Sequence, residues 1–346
     1  MSRRRRMALR VGLPAVAVVV AFTISLVAAL SSSAAPASPS ARPTLPPHPQ
    51  PAPTRVVSTQ LYSPFTGEPV RALKPVLAVK IDNIVTARPQ TGLQSADIVY
   101  VEPVEGGLTR FMAVFSSRVP TTVGPVRSAR ESDLYLLPQF GRPAFAWSGA
   151  TPHLVPFIER ANIADLYALL VNGYYRISSR AAPENLYANP RTLLQQARHV
   201  SNARDIGFRF GPQPAGGRAT RSYSVKYPAA SYTFQWSAKA KRWLTWIDGA
   251  PAGATEGGQL GGATVIIQYT VIKTSRFLEY GSRPPYAVSV GSGRAVVRRT
   301  GQAFDVRWSR PSADGGTTFT LPSGQPMTFA PGQVWVILAA APKPAR

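Results

Sequence analysis

The segment Lys80 to Arg130 constrains this chain more than any other, because it sets charged side chains among strand-like apolar runs. It reads KIDNIVTARPQTGLQSADIVYVEPVEGGLTRFMAVFSSRVPTTVGPVRSAR. Asp82, Asn83, Arg88, Gln90, Asp97, Glu102, Glu105, Thr109, Arg110, Arg127, Ser128 and Arg130 alternate there with Val-, Ile- and Phe-rich stretches and glycine turns. Four of the chain's 16 acids fall between Asp82 and Glu105. A solvated face does not have this pattern, so the block is the candidate functional site.

Its chemistry can be read in several ways. Glu102 and Glu105 flank Pro103 near Gly106-Gly107. Residues three apart on a strand diverge unless the chain turns. With a turn, the two carboxylates make a candidate acid–base pair for polymer hydrolysis. Asp82, Asp97 and Glu105 could instead offer oxygen ligands to a hard cation. The third reading pairs the acids with Arg88, Arg110, Arg127 and Arg130. Gly124–Arg130 precedes an expected helix, where Ser128 and two arginines form a candidate anion site. Its alternative is that Ser128 caps the helix and the arginines pair with nearby acids, including Glu131 and Asp133.

Outside the block, chemistry is sparse. The chain has no cysteine, which excludes disulfides, thiolate catalysis, cysteine zinc sites and a lipid-modified cysteine. Ser148 and His153 are the only candidate nucleophile and base near each other, and His199 falls near a helix end. No P-loop, dinucleotide glycine motif or zinc spacing appears, so no cofactor is expected. The formal net charge of +23 attracts anionic lipid, acidic wall polymer or nucleic acid. Trp236, Trp243 and Trp246 are candidate stacking residues, but alternate aromatics in strands belong to a core.

The N-terminus bears on location. Residues 3–6 are RRRR, and Val11 to Leu30 carries no charge over twenty residues. Residues 1–30 therefore read as a membrane anchor or signal segment. Twenty apolar residues suit a spanning helix better than a signal core of ~7–15. Either way the arginines stay cytoplasmic and the bulk crosses, so no nucleic acid partner is expected. Cleavage near Ala35-Pro36-Ala37 would leave a secreted protein. Residues 31–56 are Pro/Ala/Ser-rich, a linker that spans roughly 60 Å if extended from Pro36 to Val56.

Two folded regions are expected. Over 57–212, strands at Val76–Ile81, Asp97–Glu102, Leu108–Phe115 and Pro143–Trp147 interleave with helices at Ala129–Leu137, Thr151–Ala161 and Asn189–Val200. In the last, Asn189 is the N-cap and Pro190 opens the first turn. That pattern predicts a mixed α/β domain. Over 213–346, nine short strands separated by glycines predict a mostly antiparallel β-sandwich or barrel-like domain. The second region carries 16 Lys+Arg against 5 Asp+Glu.

Several motifs resemble the YerB-like family of bacterial envelope proteins. They are Ile81-Asp82-Asn83, Ala87-Arg88-Pro89-Gln90, Ala96–Tyr100, Val104–Gly107, Thr109-Arg110-Phe111 and Gly124–Arg130. Arg180, Ala182-Pro183 and Asn185-Leu186-Tyr187 extend the likeness. Gly291–Ala295, Trp308–Arg310, Pro331-Gly332 and Val334–Val336 carry it through the second region. The resemblance implies an envelope protein with N- and C-terminal YerB-like domains of unknown function, and it brings no catalytic residues. It adds Arg180 and Asn185 to the candidate ligand residues. Members are commonly lipoproteins, whereas this chain lacks the cysteine. Where relatives tend to have Pro-His-Asn, it has Pro183-Glu184-Asn185. The function expected is binding of an anionic envelope component, a wall polymer or lipid headgroups. The alternatives are a hydrolase or metal-assisted enzyme, or a scaffold for another envelope protein.

Overall fold

The computed structural model describes residues 60–279 and 281–341. The anchor expected at 1–30 and the linker at 31–56 lie outside the described residues. The apolar runs become the principal strands: β1 (Leu77–Ile81), β2 (Ile98–Pro103), β3 (Thr109–Phe115), β4 (Ala144–Trp147), β5 (Ala164–Tyr167), β6 (Ser222–Tyr227), β7 (Ala230–Ser237), β8 (Arg242–Ile247), β9 (Thr264–Thr274), β10 (Gly291–Arg299), β11 (Gln302–Arg310) and β12 (Val334–Ala340). The helices α1 (Glu131–Leu136), α2 (Val155–Glu159) and α3 (Pro190–Gln196) are short.

One large sheet runs through both halves of the sequence, in the order β11–β10–β9–β12–β2–β3–β1–β4–β5. Strand β12 lies between β9 and β2, parallel to both. Its alternation feeds two cores, as a period of two requires. Val334, Val336 and Leu338 face a core with Tyr100, Met112, Phe140 and Trp147. Trp335, Ile337 and Ala339 face the opposite core with Val101, Phe111 and Phe234. A smaller antiparallel sheet, β6–β7–β8 with short edge strands, covers the second core. α1, α2 and the aromatic cluster of Phe208, Phe319 and Phe329 cover the first. All of this belongs to one compact unit, Ser58–Arg346.

The expected α/β domain followed by a β-sandwich is overturned: the fold is mostly β. The helices hold six, five and seven residues. Each falls short of its expected range. A 3₁₀ turn containing Pro138 ends α1. The chain turns extended at Ala197 after α3. α2 begins only at Val155, with Pro156 in its first turn, rather than at Thr151. The α/β reading also needs helical crossovers between parallel neighbours. Here only β4 and β5 are joined through a helix, the short α2. The Asn189 cap forms as expected, its Oδ1 accepting from the Arg191 and Thr192 N–H groups at 3.0 and 3.1 Å.

The topology aligns six strands in one direction. β1 and β2 are each antiparallel to β3, so they point the same way. β4, β5, β9 and β12 share that direction through their parallel pairings. Their carboxyl ends line one edge of the sheet.

Trp335 is fully buried, its ring 5.7 Å from Phe111 and 6.0 Å from Phe234. Trp335→Ala is expected to cost about 3–5 kcal/mol in urea unfolding of the Ser58–Arg346 body. A loss near zero would mean the two sheets are not held together across this core.

Candidate functional site

The 80–130 block assembles at the carboxyl edge. Asp82 follows β1, and Glu105 lies in the turn after β2. Gly106 and Gly107 make that turn with φ of 67° and 72°. Arg110 sits early in β3, opposite Glu102. A bridge between Ile81 and Val126 brings Arg127, Ser128 and Arg130 alongside.

Every acid in this cluster meets an arginine. Arg127 Nε donates to Asp82 Oδ2 at 2.7 Å. Arg110 Nη2 donates to Glu105 Oε1 at 2.9 Å, and its Nε lies 3.9 Å from Asp82 Oδ1. Arg130 Nε donates to Glu105 Oε2 at 2.7 Å, and its Nη2 reaches both Glu105 Oε1 and Glu279 Oε1. Three arginines thus face Asp82, Glu105 and Glu279. Burial pushes the Glu105 carboxyl up, but the Arg130 hydrogen bonds and the Arg110 charge outweigh it and hold the group at about 2. Burial, then the Arg130 charge, lowers Arg110 to about 10 against the pull of Glu105 and Asp82. Glu279 lies on the loop after β9. No spacing in the sequence links it to the block.

Glu102 does not share this cluster. It is sealed with Lys80 and Asp133, all three fully buried. Lys80 Nζ donates to Glu102 Oε2 at 2.5 Å and to Asp133 Oδ1 at 2.8 Å. Burial first, then the Asp133 charge, pushes Glu102 up to about 8 despite Lys80. Glu102 and Glu105 therefore do not face one cleft as an acid–base pair. Asp97 lies at the other end of β2, accepting from the Ser116 and Ser117 N–H groups at 2.6 and 2.8 Å. Burial raises it to about 6 against those bonds. Asp82, Asp97 and Glu105 are not brought together. Among the described residues no group of three His, Asp or Glu side chains is placed to hold a metal ion.

The helix start also differs from expectation. Ser128 precedes the N-cap, Arg130, whose N–H donates to Asp133 Oδ2 at 2.6 Å. Acids already occupy the first turn of this six-residue helix. Ser148 donates to the Val126 carbonyl, and His153 is exposed.

Asn83, Arg88 and Gln90 join the two sheets. Asn83 Nδ2 donates to Thr109 Oγ1 at 3.1 Å and to the Tyr232 hydroxyl at 2.5 Å, and its Oδ1 accepts from Gln90 at 2.9 Å. Arg88 pairs with Asp248 at 2.8 Å. Arg180 clamps the same loop through the Ala87 and Pro89 carbonyls, both at 2.6 Å. Asn185 accepts from Arg176 at 2.5 Å.

The Glu105 turn is one wall of a groove of ≈ 530 Å³ at the same edge. Tyr223 and Tyr227 of β6 and Tyr269 of β9 supply aromatic faces, and Lys226 stands on the rim. The Ala229 N–H donates to the Gly107 carbonyl at 3.0 Å, pinning the turn to the β6–β7 hairpin. A Cβ at Gly107 would meet Pro228 Cβ at 2.6 Å, so this approach requires glycine. The Tyr223 and Tyr269 hydroxyls are 3.0 Å apart, and Arg298 lies 3.9 Å over the Tyr223 ring. Burial, then Tyr223, raises Tyr269, and the charges of Arg294 and Arg298 oppose this. No Asp or Glu lines the groove among the described residues. The sequence hid it because alternate tyrosines on strands read as core.

Residues 65–203 match the family described as protein of unknown function (DUF3048), N-terminal domain, and residues 223–336 match its C-terminal domain. The chain is 27% identical over 294 residues to "Putative lipoprotein YerB" of Bacillus subtilis (strain 168), covering 80% of this chain and 86% of that protein. The crystal structure of YerB protein from Bacillus subtilis superposes with a TM-score of 0.68 at 22% identity, over 82% of this chain and 97% of that one.

The two perturbed glutamates predict opposite pH dependences. Glu102 keeps its proton in the folded state up to about 8 against an ordinary 4.5. Its stabilisation is complete below 4.5 and is lost as pH rises through 8. Glu105 titrates at about 2 against 4.5. Its stabilisation is complete above 4.5 and is lost as pH falls towards 2. Urea midpoints across pH should show the decline between pH 4.5 and about 8 flattened in Glu102→Gln. Glu105→Gln should be weaker at neutral pH and converge with wild type in acid. An unchanged decline over that range in Glu102→Gln would refute the buried-proton assignment.

Proposed function

This chain belongs to the YerB-like family, built from the DUF3048 N- and C-terminal domains, and we propose that it binds an anionic polymer of the cell envelope. The observation that carries this reading is the tyrosine-walled groove with Lys226 on its rim, the Arg294 charge felt at Tyr269, and no lining carboxylate among the described residues. A sugar ring lays its apolar C–H face on an aromatic ring, and a phosphate or carboxylate on the same polymer seeks a cation. The neighbouring arginine cluster supports the site rather than forming it. Its guanidiniums are engaged by Asp82, Glu105 and Glu279, and that pairing fixes the turn that walls the groove.

The relative's name as a lipoprotein supports a membrane-anchored, extracytoplasmic location. This chain has no cysteine to carry a lipid. The apolar run Val11 to Leu30 is the anchor in this reading, with the N-terminus cytoplasmic. Among the described residues no helix is long and apolar enough to cross a membrane, and the run lies outside them.

The test is retention of the soluble Ser58–Arg346 fragment on purified envelope fractions. Lys226→Ala with Arg294→Ala should weaken retention by roughly 10-fold or more, with the loss steepest at low salt. Tyr269→Ala should weaken it at all salt concentrations. Undiminished binding by these variants, with loss in Arg127→Ala alone, would move the site to the Gly124–Arg130 turn.

A further inference from the structure

Far from the groove, the amino edge of the large sheet carries a face that the proposed polymer site does not use. Two adjoining depressions of ≈ 550 and ≈ 530 Å³ share Lys74, Ser117 and Arg118. Arg71 lines the first and Arg191, from α3, the second. All four cations are exposed, and none forms an ion pair among the described residues. Glu68 is the one acid lining either depression. This differs from the carboxyl edge, where each arginine of the cluster has its carboxylate.

The face is also apolar where it need not be. Val70 lines it and pairs in a short hairpin with Leu61, as Pro69 does with Tyr62. Leu61 is 40% and Tyr62 55% exposed, two of the eight exposed large apolar side chains of the described residues. The hairpin is also where the segment before residue 60 joins the body. The loop carrying Arg118 is held by Asp97, which accepts from the Ser116 and Ser117 N–H groups.

Unpaired cations beside an exposed aliphatic and a tyrosine suit a bilayer surface. Arginine and lysine meet anionic headgroups, while Tyr62 and Leu61 enter the interface. A soluble polyanion would use the cations and leave the apolar pair idle. We propose that this face docks on anionic phospholipid headgroups, holding the body against the membrane. The inference is independent of the polymer groove and rests on other residues.

Cosedimentation of the Ser58–Arg346 fragment with vesicles tests it. Phosphatidylcholine vesicles containing phosphatidylglycerol should bind the fragment, and pure phosphatidylcholine should not. Arg118→Ala with Arg191→Ala should weaken binding by roughly 25-fold, from about 5-fold per cation. The charge-preserving Arg118→Lys with Arg191→Lys should retain it. Arg221→Ala with Lys239→Ala removes two exposed cations elsewhere and should change it less than about 3-fold. The proposal is overturned by equal binding to neutral vesicles or by none to anionic ones. It also falls if the control pair loses as much, or if free polyglycerol phosphate binds this face while vesicles do not. Because Lys226 and Tyr269 lie outside the face, their variants should leave vesicle binding unchanged, which separates failure here from failure of the groove.

Discussion

Backbone pairing of β12 with β2 and β9 joins the two halves of the chain. Val334–Ile337 run beside Ile98–Val101, and Val334–Ala340 beside Thr264–Thr270. With no cysteine in the chain, burial and these ladders must close the topology. The pairing also fixes which side chains face which core. A slip of one residue would send Trp335 and Ile337 into the core built for Val336 and Leu338, and both layers would lose their packing at once. Contacts so distant in sequence form late and slowly. The carboxyl edge takes shape only when the last strand is in place, because Ala339 and Ala340 line the groove.

The buried Lys80–Glu102–Asp133 group is harder to justify by stability alone. Removing Lys80, Glu102 and Asp133 from water is expensive, and well-packed apolar residues could fill the same space at no loss. What the group supplies is position. Asp133 accepts from both Lys80 and the Arg130 backbone, so it ties β1, β2 and the start of α1 together. Arg130 then reaches across to Glu105 and Glu279, on loops from opposite halves of the sequence. Replacing Lys80 or Asp133 would leave the other's buried charge without its partner, whereas Glu102, which keeps its proton, accepts one Lys80 hydrogen bond. A turn with two residues at positive φ has little conformational preference of its own. The guanidiniums hold it where it walls the groove.

Eleven of the twelve principal strands were legible because short runs rich in Val, Ile, Tyr and Phe read as strand whether one face or both are buried, as both are in β1, β2 and β3; β5 was not expected. The helices fall short of their expected length because a few apolar residues at helical spacing also suit a loop packed over a sheet. Asn189 and Pro190 marked one start correctly, yet nothing near Ala197 announced the stop. Side-chain roles were harder still. Asp97 and Glu102 both edge a Val-rich strand, and one caps a loop while the other is sealed with Lys80. Asn83, Gln90 and Arg88 look like ligand residues because they are polar and clustered. Their partners, Tyr232 and Asp248, sit roughly 150 residues on in the other sheet, beyond the reach of local pattern. Glu279 and the tyrosine groove were unreadable for the same reason.

Charge is distributed unevenly between the two ends of the sheet, and this has a geometric consequence. At the carboxyl edge, arginines are neutralised by carboxylates, leaving a tyrosine surface with a thin cationic rim. At the amino edge, cations stand alone beside exposed Leu61 and Tyr62. The six-residue β2 separates the two edges, roughly 20 Å at ~3.3 Å per residue. A bilayer touching the amino edge would therefore leave the groove facing away from it, beyond about two Debye lengths at physiological salt. At that distance the lipid charge neither repels an anionic polymer from the groove nor competes for Lys226. One rigid sheet can then hold two anionic partners apart, which a single basic surface could not do.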